Sequence, residues 1–314
     1  MHAVVLHAFG PAENLTYETV DDPVPGAGEV RVVVKAAGVH LIETLLRTGV
    51  TIGPPVPDLP TVFGGEVAGV VDAVGPGVDE SWIGRRVVTG ASRPGGYAEL
   101  SVAEVGALHA VPDGLGFEEA VAMIVTGATT MALIELGAPT AADVILVNSA
   151  AGGIGRLLMQ HARHIGAEVV GAAGGKAKVA TVPGRAVDYD VPGWSAQVGE
   201  VTLVFDGVGG SRGREAFSLL GAGGRHIVYG NASREEAGAP TPEEIKAKDI
   251  TSIYAIERIL SRPGGLRELE ERALAEAAAG RLVPEVQAFP LAEAAAAHAA
   301  LESRATSGKV VLIP

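Results

Sequence analysis

The run Ala150-Ala151-Gly152-Gly153-Ile154-Gly155 carries the clearest chemistry in this sequence. Glycines let a backbone turn sharply and approach a pyrophosphate closely, and free N–H groups at a helix start hold its negative charge. The context that this motif needs is present. An apolar run, Val144-Ile145-Leu146-Val147, precedes it; the helical pattern Leu157, Leu158, His161, Ala162, Ile165 follows; a second β-rich run starts at Glu168. We therefore expect a dinucleotide site at Ala151, Gly152, Gly153, Ile154 and Gly155. An acidic residue near the end of the second strand would bind the ribose hydroxyls of NAD and repel the extra phosphate of NADP. The residues there are Gly171-Ala172-Ala173-Gly174-Gly175-Lys176-Ala177-Lys178, without a carboxylate. A small-residue turn at Gly174 leaves room for a 2′-phosphate, and Lys178 or Lys176 can neutralise it. NADPH is the expected cofactor.

Several elements must position these residues. Runs at Val144 to Asn148, Glu168 to Ala173, Val201 to Phe205, Arg225 to Tyr229 and Ile250 to Tyr254 alternate with helical stretches, the pattern of a doubly wound parallel sheet in an α/β protein. Two strands end in glycine turns, one at Val208 and one at Gly230-Asn231. Ligands lie beyond the carboxyl ends of such strands, so these turns either pass near nicotinamide and ribose or are plain turns. Before residue 122, short β-rich runs (Glu29 to Lys35, Glu66 to Val74, Arg86 to Thr89) alternate with Gly/Pro turns. That half reads as a compact β domain. An Ala-rich helical stretch from Leu291 to Ser303 leads to a last strand, Gly308 to Ile313, which either domain can accept.

Bulk properties narrow the function. A chain of 314 residues suggests two domains of roughly 100 to 200 residues each. With 47% hydrophobic and 19% charged residues it is a folded globular protein. A net charge of -13 opposes nucleic acid and anionic membranes as partners, since both are held by clustered Lys and Arg. No apolar segment approaches the roughly 20 residues that cross a bilayer, and no signal-type start is visible, so a cytoplasmic protein is expected. The chain has no cysteine, which removes disulfides, thiol nucleophiles and thiolate-bound zinc.

The glycine-rich run, with Gln160 and Arg163 at their spacings, resembles the signature of zeta-crystallin-like quinone oxidoreductases of the medium-chain dehydrogenase/reductase superfamily. The similarity continues in Gly38-Val39-His40-Leu41-Ile42-Glu43-Thr44 with Arg47, in Gly95-Gly96-Tyr97-Ala98-Glu99 and in Glu302 to Lys309, and so spans nearly the whole chain. It implies a GroES-like, partly open β-barrel substrate domain from residues 1–122 and 285–314, with a Rossmann dinucleotide-binding domain, 123–284, inserted. It also implies an active site in an interdomain cleft, approached by the helix carrying Thr129 and by the loop around His40. Lys178 and Tyr189 are implied contacts of the 2′-phosphate, Lys309 joins the implied cofactor set, and a homodimer is the implied assembly.

Zinc-dependent members of that superfamily hold a metal with Cys, His and a further Cys or carboxylate. Here Gly64-Gly65-Glu66 places Gly65 where relatives have histidine, leaving only His40 and Glu66 as ligands at matching positions. A catalytic zinc normally has three protein ligands, so no metal is assigned. Without a Lewis acid, nothing stabilises the alkoxide of an alcohol; quinones and enones accept hydride into an already conjugated system. A small hydrophobic quinone or conjugated carbonyl compound is the expected substrate. Relatives commonly have Asn at the position of His40 and Tyr at that of Leu45, both near substrate. The pocket is thus more apolar, and His40 either delivers a proton, as an imidazole can near neutrality, or is a hydrogen-bonded structural group. Tyr254 reaches the substrate pocket, a dimer contact or the core. Glu43 and Arg47, four apart on a helix, read as a surface ion pair. Loops such as Val50 to Pro60, which would wall the pocket, have no readable motif. An enoyl-thioester reductase and a noncatalytic NADPH-binding protein remain as alternatives.

Overall fold

The computed structural model describes residues 1–50, 56–90, 94–235 and 238–314. The loop from Val50 to Pro60 lies partly outside them. The described residues form two compact units, Met1–Val125 with Glu285–Pro314, and Thr126–Pro284.

The chain opens with strands β1 (His2–Leu6), β2 (Leu15–Thr19) and β3 (Glu29–Val39), helix α1 (Leu41–Arg47), and strands β4 (Thr61–Val62), β5 (Glu66–Val74), β6 (Arg86–Thr89), β7 (Leu100–Glu104) and β8 (His109–Ala110). Helices α2 (Phe117–Ile124) and α3 (Thr126–Gly137) follow. The second unit continues as β9 (Val144–Asn148), α4 (Gly153–His164), β10 (Glu168–Ala173), α5 (Lys176–Val179), β11 (Ala186–Asp188), β12 (Val201–Asp206), α6 (Gly210–Ser218), β13 (Leu220–Val228), α7 (Pro242–Ala247), β14 (Thr251–Tyr254), α8 (Ala255–Leu260) and α9 (Arg267–Ala278). The chain then returns to the first unit through β15 (Val286–Pro290), α10 (Ala294–Glu302) and β16 (Lys309–Ile313).

In the first unit, β3 is the strand on which the site is built. Its valines Val30, Val32 and Val34 are buried while Glu29 and Arg31 alternate outward, as a half-buried strand requires. Each buried valine contributes about 2 kcal/mol of hydrophobic stabilisation. The strand runs four residues beyond Lys35, through Ala36-Ala37-Gly38-Val39, although alanine and glycine are weak strand formers. Pairing carries them: Ala36 to Gly38 face Ala68 to Glu66 of β5, and Ala37 to Val39 face Leu312 to Val310 of β16. The last strand therefore belongs to this β domain, a seven-stranded sheet beside a three-stranded one.

The second unit is a six-stranded, all-parallel sheet in the order β11-β10-β9-β12-β13-β14. Central β9 reads Val-Ile-Leu-Val-Asn and is almost wholly buried, since helices cover both faces of such sheets. Helix α4 packs Leu157, Leu158, Met159 and Ala162 inward. Strand order reverses between β9 and β12, so the glycine-rich run leaves β9 at the switch point where ligands of such sheets bind. Gln160 brackets the backbone of Val283 with two hydrogen bonds, which gives it a structural task.

Among the described residues no single helix is long and apolar enough to cross a membrane.

Candidate functional site

In the second unit, the sharp turn after β9 is made by Ser149, at φ 77°, and the glycines serve other purposes. Ser149 and Ala150 both donate to the Ala172 carbonyl of β10. Gly152, the N-cap of α4, is extended (φ -80°, ψ 167°) and has room for a Cβ. Gly155 has none: a Cβ there would lie 2.1 Å from the Ser149 carbonyl oxygen. The start of α4 has no side-chain cap and no acidic residue in its first turn. Its N–H groups and the positive end of the helix dipole are thus left for an anion. These residues fit a dinucleotide pyrophosphate.

Gly174 and Tyr189 lie side by side. A Cβ on Gly174 would meet the tyrosine ring at 2.8 Å and Asp190 Oδ2 at 2.8 Å. The carboxylate missing from β10 arrives in space from β11, because Ala173 is paired with Asp188. That carboxylate accepts from the Gly175 and Asp190 N–H groups at 2.8 and 3.0 Å, so it is held by the loop backbone. Arg212 stacks over the Tyr189 ring, 5.2 Å to its centroid, and donates to Asp190 from Nε at 3.0 Å. Sequence reading missed Arg212; its place just after the Gly209-Gly210 turn was the available signal.

The other two glycine turns are closed by their own contacts. Val208 is buried, and its N–H donates to Asp206 Oδ1, which also accepts from Gly209 N–H and from Asn148 Nδ2. Gly230 lies against Gly207, whose carbonyl oxygen would be 2.9 Å from an added Cβ. Asn231 accepts from the Ser233 hydroxyl at 2.8 Å and donates to the Glu235 carbonyl at 3.1 Å. Thr129 lies partly exposed on α3, and Tyr254, at 55% exposure on the edge strand β14, is excluded from the core.

The first unit holds a buried charge cluster around His40, at the N-cap of α1. His40 Nε2 lies 2.7 Å from Glu66 Oε2, and the Lys309 ammonium donates to the same oxygen at 2.7 Å while standing 3.0 Å from Nε2 and 3.3 Å from Nδ1. Lys309, expected among the cofactor contacts, thus directs its charge at Glu66 and His40. Gly38 makes the arrangement possible, since a Cβ there would fall 1.7 Å from Glu66 Oε2. Burial alone would push the Glu66 carboxyl up; the Lys309 ammonium, then His40, reverse this and hold it at about 2. His40 keeps 25% of its side chain exposed. Leu45 is half-buried on the same helix.

The expected surface pair of Glu43 and Arg47 is not formed. Arg47 is buried, donating to the Gly10 carbonyl and to Glu302, while Glu43 accepts from the His40 N–H at 2.7 Å and the Tyr97 hydroxyl at 2.8 Å. Helical spacing gave the right element but not its buried face. Burial raises the Glu43 carboxyl above its ordinary range, offset in part by the His40 charge and then by the hydrogen bonds from the His40 N–H and the Tyr97 hydroxyl.

Tyr97 also meets buried His298, whose Nε2 is 3.2 Å from the hydroxyl and whose Nδ1 has no partner. Burial, then the nearby Arg47 charge, lower His298 to about 3. A histidine depressed in the fold contributes stability above its unfolded value near 6.5 and loses it as pH falls toward 3. We expect this residue to remove about 2 kcal/mol of stability between pH 7 and pH 5. Urea unfolding of His298→Phe at both pH values checks it: the variant should lose correspondingly less on acidification, and an identical loss counts against the assignment.

Two family models match the chain, the alcohol dehydrogenase GroES-like domain over residues 26–113 and the zinc-binding dehydrogenase over residues 184–312. A quinone oxidoreductase of Pseudomonas aeruginosa is 32% identical, over 98% of this chain and 98% of its own length. A 2-haloacrylate reductase of a Burkholderia species is 30% identical, over 99% and 98%. The crystal structure of Escherichia coli quinone oxidoreductase complexed with NADPH superposes with a TM-score of 0.87 at 27% identity, covering 100% of both chains. A GroES-like domain with a Rossmann sheet inserted in its sequence defines a medium-chain dehydrogenase/reductase. Within that class the chain belongs to the quinone oxidoreductase family.

Proposed function

We propose that the protein reduces a quinone or another small conjugated carbonyl compound with NADPH, without a metal. The observation carrying this reading is the Lys309 ammonium, in direct contact with both His40 and Glu66. Those residues stand at the positions matching metal ligands in zinc-dependent relatives, and they do not fit a metal ion here. The pair has a resident cation already. Among the described residues no group of three or more His, Asp or Glu side chains is placed to hold a metal. A reaction that needs no Lewis acid suits this site, and hydride addition to a conjugated acceptor is one, because the anion formed is delocalised.

Reduced nicotinamide, when bound, supplies the hydride. The chain's own contribution in the second unit is the turn Ala151 to Gly155, the helix start behind it, and Gly174, Lys178 and Tyr189 toward the 2′-phosphate. In the first unit His40 delivers the following proton and regains it from water, while the Lys309 ammonium at 3.0 Å and Glu66 at 2.7 Å hold its ring in place. Leu45 keeps the acceptor side apolar. The name of the Burkholderia relative, a haloacrylate reductase, supports a conjugated acceptor as well as a quinone. For the assembly we assign a homodimer through the edge strand β14 and the helix α8 that follows it, where Tyr254 on the strand and Ile256 and Leu260 on the helix are exposed.

The test is NADPH oxidation followed with a quinone, an enone and an enoyl thioester in turn. Turnover with the first two supports the reading; preference for the thioester makes the protein an enoyl reductase, and tight NADPH binding with no turnover makes it noncatalytic. Lys178→Ala should weaken NADPH about tenfold or more, the worth of one charge-assisted hydrogen bond, and leave NADH nearly as before. Titration of both cofactors decides it, and equal NADH affinity in the wild type would remove the 2′-phosphate assignment.

A further inference from the structure

We propose that Arg156 is a positioning residue that sets cofactor selectivity by tying the glycine-rich turn to the segment carrying Lys178. The proposal rests on the reading of Lys178 as a 2′-phosphate contact. Arg156 follows Gly155 on α4 and is only 5% exposed, on a helix whose neighbouring inward residues are Leu157, Leu158 and Met159. A guanidinium so placed is costly unless its donors are used. Its Nε donates to the Ala151 carbonyl at 3.2 Å, and its Nη2 donates to Thr181 Oγ1 at 2.7 Å. The Thr181 hydroxyl in turn donates to the Lys178 carbonyl at 2.8 Å. Each donor and acceptor in this relay is used consistently, since the hydroxyl accepts once and donates once.

The relay joins two segments that bind different parts of one ligand. Ala151 belongs to the pyrophosphate turn, and Lys178 to the short helix α5 after β10. Holding both through one rigid fork fixes the lysine backbone relative to the turn, so less ordering is required when a 2′-phosphate arrives. NADH lacks that phosphate and gains nothing from the Lys178 end. Lysine at 156 would keep the charge but could not span both acceptors, because only the planar guanidinium presents two donors in a fixed fork.

The experiment compares NADPH and NADH dissociation constants in the wild type, Arg156→Lys, Thr181→Val and the double variant. Each single variant should lower the NADPH-over-NADH preference about tenfold, as expected for one hydrogen bond to a charged group, and the double variant should fall no further than either. Thr181 is exposed, so its variant keeps the test open should Arg156→Lys fold poorly. Parallel losses for both cofactors, or an unchanged preference, overturn the proposal. A preference sensitive to Lys178→Ala but not to these variants overturns it alone, whereas a wild type without preference overturns the cofactor reading and this proposal together.

Discussion

Lys309→Met should lower the free energy of unfolding at neutral pH by about 3 to 5 kcal/mol, the cost of leaving one partner of a buried ion pair uncompensated. Glu66 and Lys309 are both buried, and Gly38 closes the space through which the Glu66 side chain could move. Glu66→Gln combined with Lys309→Met should recover most of the loss, since the amide carries no charge to compensate. The pH dependence has a definite sign. With its carboxyl held at about 2, against an ordinary value of 4.5, Glu66 contributes stability above pH 4.5 and loses it as pH falls toward 2. That contribution is about 3 kcal/mol. Without the ammonium, the largest force opposing burial is gone and the carboxyl rises, so acidification should cost the variant less stability than it costs the parent. Urea unfolding from pH 7 to pH 4 checks both statements. A single variant as stable as the parent would mean that Lys309 is not the cation of this site, and a double variant no better than the single would mean that packing accounts for the loss.

The parts of the fold legible in the sequence were those with local causes. Strands β5, β6, β9 and β10 follow from runs of β-branched residues between turn residues, and α4 from its apolar spacing. The extension of β3 through Ala36 to Val39 was not legible, because it depends on pairing with β5 and β16, far away in sequence. The same limit shaped the site. His40 and Glu66 were visible as residue types, but the contact of Lys309 with both spans 269 and 243 positions. Glu43 and Arg47 sat at ideal helical spacing for a surface pair, and only tertiary packing turned each toward a different buried partner. Arg156 looked like an ordinary helix residue, because its partner Thr181 comes from beyond the next strand.

The glycine-rich turn yields the other large effect. Gly155→Ala should raise the dissociation constant for NADPH by at least about 100-fold, or roughly 2.7 kcal/mol. The added Cβ would stand 2.1 Å from the Ser149 carbonyl oxygen and 2.9 Å from Ala150 Cα, both backbone atoms that no side-chain rotation can move away. Relief requires the start of α4 to shift away from β9, and with it the N–H groups on which anion binding depends. Gly152→Ala is the informative counterpart. Its nearest atoms, Ser149 Oγ and O, would lie 3.4 and 3.5 Å away, ordinary contacts that leave the turn as it is. Folding of Gly152→Ala should therefore match the parent in a thermal melt, and any loss of NADPH affinity must come from the methyl meeting the ligand itself. The two variants separate glycine required for packing from glycine required for phosphate approach. Gly155→Ala with parental NADPH affinity would show that the helix start does not hold the pyrophosphate. Undiminished affinity in Gly152→Ala would place the phosphates farther along the helix start, toward Gly153 and Ile154.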